Sequence, residues 1–199
     1  MMDTILNLGI NPVTASAIAE ETSDLVFAND TYSRFMSLYA KIVLKAVLPE
    51  NPSSTPMEMI SELKRLDLVI PENPRGQLMA AIQAVFESWN TRRARKWREK
   101  KGIDDSLGTA VTLQVMVFGN LGHDSGTGVL FSRNTLSGEV EPQGEYLTRA
   151  QGEDVVSGSV TPQPLEELAE VMPPVYRQLL EAASTLEREN LDVQDIEFT

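Results

Sequence analysis

Apolar residues follow two different rhythms along this chain. Up to about residue 106 they recur every three or four positions, the period of an amphipathic helix. Pro12 after Asn11 suits a first helical turn, and the Ala, Ile and Glu residues through Glu21 are permissive helix formers, so a short helix is expected there. Asn29 or Asp30 is placed to cap a longer helix in which Phe35, Leu38, Tyr39, Ile42, Val43 and Ala46 form one stripe. Beyond the breaks at Pro49, Pro52 and Pro56, a third segment carries Met59, Ile60, Leu63 and Leu66 and ends at Pro71 and Pro74. The strongest pattern comes next: Leu78, Met79, Ile82, Val85, Phe86 and Trp89 line one predicted face, a basic run follows, and Gly102 is a plausible stop.

From Leu107 onward, β-branched residues and glycines replace the Ala/Glu/Lys/Arg texture. Residues 109–118 read as a strand, 119–128 as a glycine-rich turn and 129–132 as the returning strand of a hairpin. Further strands are expected at 145–147 and 154–156. Pro162 and Pro164 introduce a helix, and residues 175–191 form another with Leu179, Leu180, Ala183 and Leu186 on one face. The chain closes on an expected strand at 193–199. The prediction is therefore an α+β protein, mainly helical over 1–106 and mixed over 107–199.

Composition narrows the setting. Of 199 residues, 42% are hydrophobic and 23% charged, the balance of a soluble globular chain with one domain or one domain carrying an insertion. The apolar run 42–48 contains a lysine and is far shorter than the roughly 20 residues of a membrane span, so no membrane partner is expected. The N-terminal stretch lacks both a basic start and a small-residue cleavage site, which makes a cytoplasmic setting the default expectation. There is no cysteine, so disulfides, thiolate nucleophiles and zinc-thiolate sites are excluded. A net charge of −12 argues against binding a phosphate backbone, and no nucleic-acid partner is expected. Arg92, Arg93, Arg95, Lys96, Arg98, Lys100 and Lys101 cluster around Trp97 against that trend. A solvated helical face explains them better than an anion site does.

Three segments can carry chemistry. In Gly122-His123-Asp124-Ser125-Gly126-Thr127-Gly128, glycines let consecutive backbone N–H groups turn toward one anion, a phosphate for example; ordinary hairpin chemistry reads the same way. No Gly-Lys-Ser/Thr follows, so it is not a Walker A loop. In Asp195-Ile196-Glu197-Phe198, a strand would put both carboxylates on one face and both apolar residues on the other, which fits a magnesium site or an exposed acidic face. Gln151-Gly152-Glu153-Asp154-Val155-Val156 offers polar groups to a purine edge, or a turn before a strand. His123, the only histidine, lacks an orienting carboxylate and reads as a solvated loop residue.

In order, these segments resemble the nucleotide-binding domain of the pyruvate, phosphate dikinase family, an ATP-grasp fold. The resemblance is carried by Gly108-Thr109-Ala110-Val111-Thr112-Leu113-Gln114-Val115-Met116-Val117-Phe118-Gly119-Asn120, by the stretches 1–9, 77–89, 125–134 and 150–156, by Gly144-Glu145-Tyr146-Leu147, by Thr161-Pro162-Gln163-Pro164 and by 194–199. It implies a phosphotransferase converting ATP, phosphate and pyruvate to AMP, pyrophosphate and phosphoenolpyruvate through a phosphohistidine on a separate domain. His123 is not that carrier. By the same resemblance, Ser125, Gly126, Thr127 and Gly128 cover the phosphates of ATP, Gln114 lines the cleft, Glu153 and Val155 lie along the adenine, and Asp195 and Glu197 face Mg2+ and polyphosphate. The phosphohistidine and pyruvate-binding domains become expected partners.

The departures carry expectations too. Relatives have an upstream segment with a lysine and an arginine, and a strand downstream of Asp-x-Glu with a glutamine and an arginine, so the chain is expected to be a partial ATP-grasp domain, inactive alone. Thr135 stands where the family usually has proline, Val160 where it usually has arginine, and the helical insertion is shortened. A non-catalytic binding module derived from the family is the alternative. Exposed strand edges of an incomplete sheet would favour a homodimer.

Overall fold

The computed structural model describes residues 4–48, 55–157 and 160–199, in two compact units, Met1–Met116 and Val117–Thr199. The expected breaks at Pro49 and Pro52 lie outside the described residues.

In the first unit, α1 (Pro12–Thr22) opens with a reciprocal cap: the Thr14 N–H donates to Asn11 Oδ1 at 2.9 Å and the Asn11 N–H donates to Thr14 Oγ1 at 2.8 Å. Helix α2 (Leu25–Ile42) begins earlier than expected, because the Asp24 carboxylate accepts the Phe27 N–H at 2.9 Å. Asn29 and Asp30 therefore lie inside the helix, where Asp30 pairs with Arg34 one turn on. The predicted stripe holds in part: Phe35 and Tyr39 are fully buried, their rings 5.3 Å apart, and pack with Ile10, Met36 and Ala40 and with Met59 and Leu63 of α3 (Pro56–Arg65), whereas Leu38 and Ile42 stay outside this core and Val43 and Ala46 join it from beyond the helix end.

Helix α4 (Pro74–Ser88) turns a different face inward from the one its large apolar residues predict. Gln77, Ala81, Ala84 and Ser88 are buried, while Met79 is 58% exposed and Phe86 46%. Gln77 explains the rotation. Its amide accepts the Gly9 N–H at 3.0 Å and donates to the carbonyls of Ile10 at 3.0 Å and Pro71 at 2.8 Å, satisfying three backbone groups at once. Helix α5 (Arg92–Lys101) starts on Thr91 and stops at Gly102 in the left-handed region, at φ 66°. Its cations are exposed except Arg98, which is buried and belongs to the structure.

The second unit is built on a four-stranded sheet of order β3-β2-β1-β4, all pairings antiparallel: β1 (Gly126–Phe131), β2 (Gln143–Thr148), β3 (Gln163–Pro164) and β4 (Asp195–Phe198). The expected hairpin between 109–118 and 129–132 is not formed. β1 pairs instead with β2 and β4, and 109–118 has strand-forming residues but no ladder partner among the described residues. The expected strand at 154–156 is part of α6 (Gly152–Ser157), because the Asp154 carboxylate accepts the Gln151 N–H at 2.8 Å and caps a helical turn. After Pro164 a single 3-10 turn leads into α7 (Leu168–Val171) and then α8 (Pro173–Asn190). Leu130, Tyr146, Leu165, Leu168 and Ala183 form the core, with Tyr176, Leu179, Ile196 and Phe198 packed against it.

The rim of this core is tied by Arg133, whose Nε and Nη2 both donate to Glu187 Oε1 of α8, at 2.8 and 2.6 Å. The Arg133 guanidinium, and after it the Ser132 hydroxyl, hold the Glu187 carboxyl below its ordinary 4.5. A depressed carboxyl contributes stability above its unfolded pKa and loses it as pH falls through the folded value. The urea-midpoint gap between the parent and Glu187→Gln is therefore expected to be present at pH 6 and to close as pH falls below about 4. A gap that stays constant over that range would mean that the pair contributes nothing.

Candidate functional site

Antiparallel register decides which side chains share a face. Gly128 faces Tyr146 and Phe198, and Leu130 faces Gly144 and Ile196, so these positions point into the core. The alternate positions then share the opposite face: Thr127 with Leu147, Val129 between Glu145 and Glu197, and Phe131 between Gln143 and Asp195. Asp195 and Glu197, two apart on one strand, sit about 7 Å from each other along it. Glu145, across β1 from Glu197, is about 10 Å away.

The glycine segment is shorter than its sequence suggests. Residues 119–125 form the turn, while Gly126, Thr127 and Gly128 are in β1. The turn is stitched to the stretch after β2: the Ala150 N–H donates to the Gly119 carbonyl at 3.1 Å, the Arg149 N–H to the Ser125 carbonyl at 2.9 Å, and buried Gln151 donates its amide to Asn120 Oδ1 at 3.2 Å. Thr127 is buried, and its hydroxyl donates to the Phe198 carbonyl at 2.9 Å, tying β1 to the end of β4. Helix α6 starts against the same place, since a Cβ on Gly152 would lie 3.8 Å from Thr127 Oγ1. Register and the start of α6 thus bring Thr127 and α6, which carries Glu153 and Val155, to the face that bears Asp195 and Glu197. His123 is exposed in the turn. Gln114 belongs to the first unit and is exposed in a stretch without helix or strand.

Asp195, Glu197 and Glu145 are exposed, and neither residue of the Asp-x-Glu pair makes an ion pair among the described residues. No group of three or more acidic or histidine side chains close enough to hold a metal ion occurs among the described residues. Two free carboxylates on one strand face still fit magnesium, which takes one or two carboxylates and completes its octahedron with water and substrate phosphates.

A family model described as "Pyruvate phosphate dikinase, AMP/ATP-binding domain" matches residues 1–167, which include the turn, β1, β2 and α6. The chain belongs to the pyruvate phosphate dikinase AMP/ATP-binding domain family. Among its relatives, the pyruvate, phosphate dikinase of Clostridium symbiosum is 41% identical, matching 100% of this chain and 26% of its own length. The chloroplastic pyruvate, phosphate dikinase of Mesembryanthemum crystallinum is 41% identical over 100% of this chain and 23% of its own length. The pyruvate, phosphate dikinase of Rhizobium meliloti (strain 1021) is 39% identical, with 100% and 26% covered. The chain therefore spans about a quarter of the length of these pyruvate, phosphate dikinases. β4 lies beyond the family model but within the stretch shared with the relatives.

Two site features escaped the sequence reading. Glu145 shares the face of Asp195 and Glu197, and only strand register shows it. The Thr127 hydroxyl is committed to β4. The parity of Glu145 and Leu147 in a predicted strand was a usable signal for the first; the second has none, since its partner is 71 residues away.

Proposed function

We propose that this chain is the ATP-binding portion of a pyruvate, phosphate dikinase and that, alone, it binds Mg-ATP weakly without turnover. In this reading it is a partial ATP-grasp domain of a phosphotransferase that forms AMP, pyrophosphate and phosphoenolpyruvate from ATP, phosphate and pyruvate. Its partners are ATP, the phosphohistidine and pyruvate-binding domains of the whole enzyme, and a second copy of the chain; its setting is cytoplasmic. No described helix is long and apolar enough to cross a membrane. The observation that carries the reading is the shared face on which Thr127, α6, Asp195 and Glu197 meet. Ser125, Gly126, Thr127 and Gly128 are assigned to the phosphate side, Glu153 and Val155 to the adenine edge, Gln114 to the cleft wall, and Asp195 with Glu197 to Mg2+. Thr127 acts through its place in β1, because its hydroxyl is already bonded to β4.

Phosphoryl transfer depends mainly on positioning and charge neutralisation, which suits side chains that do no covalent work. Three carboxylates on one face repel bare polyphosphate, so binding should require the metal. Calorimetry is expected to give a dissociation constant of hundreds of micromolar for Mg-ATP, about −5 kcal/mol, and no heat for ATP in EDTA. Asp195→Asn with Glu197→Gln should weaken Mg-ATP binding at least about tenfold, around 1.4 kcal/mol. Tight binding accompanied by AMP and pyrophosphate would overturn the inactivity. No binding by the parent would favour the second reading, a protein-interaction module, for which the open groove along α4 beside Met79, Ile82 and Phe86 is the supporting feature.

A further inference from the structure

A left-handed backbone is unfavourable for any residue with a side chain, so each occurrence needs a reason. Among the described residues, six that are not glycine adopt it: Asn7, Ser23, Lys45, Asp67, Arg149 and Leu191. Ser23 and Leu191 end α1 and α8, and Lys45 and Asp67 follow closely on α2 and α3, where helices commonly stop this way. Asn7 is of a type that tolerates the conformation. Arg149, at φ 51°, ends no helix. It follows β2, at a turn that glycine or asparagine would make with less strain.

The position adjoins the glycine turn. The Arg149 N–H donates to the Ser125 carbonyl at 2.9 Å, which carries the β1–β2 register one pair past Gly126 and Thr148 and sets the exposed Arg149 across from Ser125. Directly opposed residues of neighbouring strands have Cβ atoms about 5 Å apart, so the arginine side chain starts beside the serine. Charge sets it apart further. Residues 117–199 hold fifteen acidic residues, four arginines and no lysine. Arg133 lies past the other end of β1, bonded to Glu187, and Arg177 and Arg188 are on α8, the helix that packs on the core side of the sheet. Among the described residues of this unit, Arg149 is the cation brought to the Ser125 end of β1.

We propose that Arg149 is a phosphate-binding residue of the nucleotide site, its guanidinium paired with the polyphosphate of Mg-ATP at the Ser125 turn. This role rests on the ATP reading above and adds to it a cation that neither periodicity nor the glycine pattern marks. A planar guanidinium presents parallel N–H donors to a phosphate, and its charge offsets the repulsion between polyphosphate and the carboxylates of Glu145, Asp195 and Glu197. Strain points the same way: a position filled only to close a turn favours glycine or asparagine, whereas a strained arginine is kept for its side chain.

Nuclear magnetic resonance titration of the full chain with Mg-ATP and with adenosine tests the role, because only ATP offers phosphate to the arginine. Arg149→Asn should weaken Mg-ATP binding at least about tenfold and leave adenosine binding unchanged. Its unfolding midpoint should equal or exceed the parent's, since asparagine enters the left-handed region more readily. Arg149→Lys should retain part of the affinity, and the gap between the parent and Arg149→Asn should narrow as salt rises from about 50 to about 300 mM. Arg177→Asn removes the same charge from α8 and should bind Mg-ATP as the parent does. Undiminished Mg-ATP affinity in Arg149→Asn, an equal loss for ATP and adenosine, a lowered unfolding midpoint, or an equal loss in Arg177→Asn would each overturn the role of Arg149 and leave the ATP reading standing. A parent that binds no Mg-ATP would overturn both.

Discussion

Alanine at Gly128 is expected to lower the stability of the second unit by about 3 kcal/mol or more, at the upper end of overpacking costs. An added Cβ would collide with the Glu145 carbonyl and lie 2.5 Å from Phe198 Cζ. The ring can turn, but the carbonyl belongs to β2, held on both sides by its neighbours in the sheet. Relief therefore requires β1 to separate from β2 or β4, and β4 carries Asp195 and Glu197. Chemical denaturation followed by far-ultraviolet circular dichroism would measure the loss, and Mg-ATP affinity should fall with it. A shift below about 1 kcal/mol would show that the strands are not so closely held.

The second large effect is expected at Arg98. This side chain is 2% exposed; its Nε donates to Asp105 Oδ1 at 2.6 Å, its Nη1 to the Trp89 carbonyl at 2.7 Å, and its guanidinium lies 3.8 Å from the centre of the Trp89 ring. It thereby fastens the end of α4, the middle of α5 and the 3-10 turn at Asp105–Leu107. Arg98→Ala should cost about 2 to 4 kcal/mol, from the lost packing on Trp89 and an unpaired carbonyl. Arg98→Lys should recover less than half, because an ammonium cannot make both bonds while lying flat on the ring. The Asp105 side chain is 70% exposed, so solvent screens the ion pair and Asp105→Asn should cost under about 1 kcal/mol. Thermal unfolding read by fluorescence of Trp89 and Trp97, the only tryptophans, separates these cases. Equal losses for Ala and Lys would mean that geometry alone matters, and equal losses for Arg98→Ala and Asp105→Asn would mean that the ion pair dominates.

Much of the first unit was legible because its signals are local. Asn11-Pro12, Pro56 and Gly102 mark helix ends through local signals, whereas the Thr91 cap, which splits the helix expected to run on to Gly102 into α4 and α5, went unread. Errors arose where a polar residue outcompeted an apolar pattern. Gln77 turned α4 by satisfying three backbone groups, two of them 67 and 68 residues away, and Arg98 was read as part of a solvated run because its partners Trp89 and Asp105 carry no periodic mark. Asp24 went unnoticed as a cap because Asn29 and Asp30 look equally suitable. In 152–157, β-branched Val155 and Val156 suggested a strand, although Gln151 and Asp154 already contained the helical cap.

The sequence by itself determined the family, the α+β class, and the alternation that puts Asp195 and Glu197 on one side of a strand. All of these depend on composition or on residues within one turn or one strand. Tertiary structure decided which strands pair. β1 pairs with β2 and β4, which set Glu145 on the face of the acidic pair and turned Thr127 toward β4. A β-ladder is a contract between distant segments, and local propensity can propose a strand but cannot supply its partner.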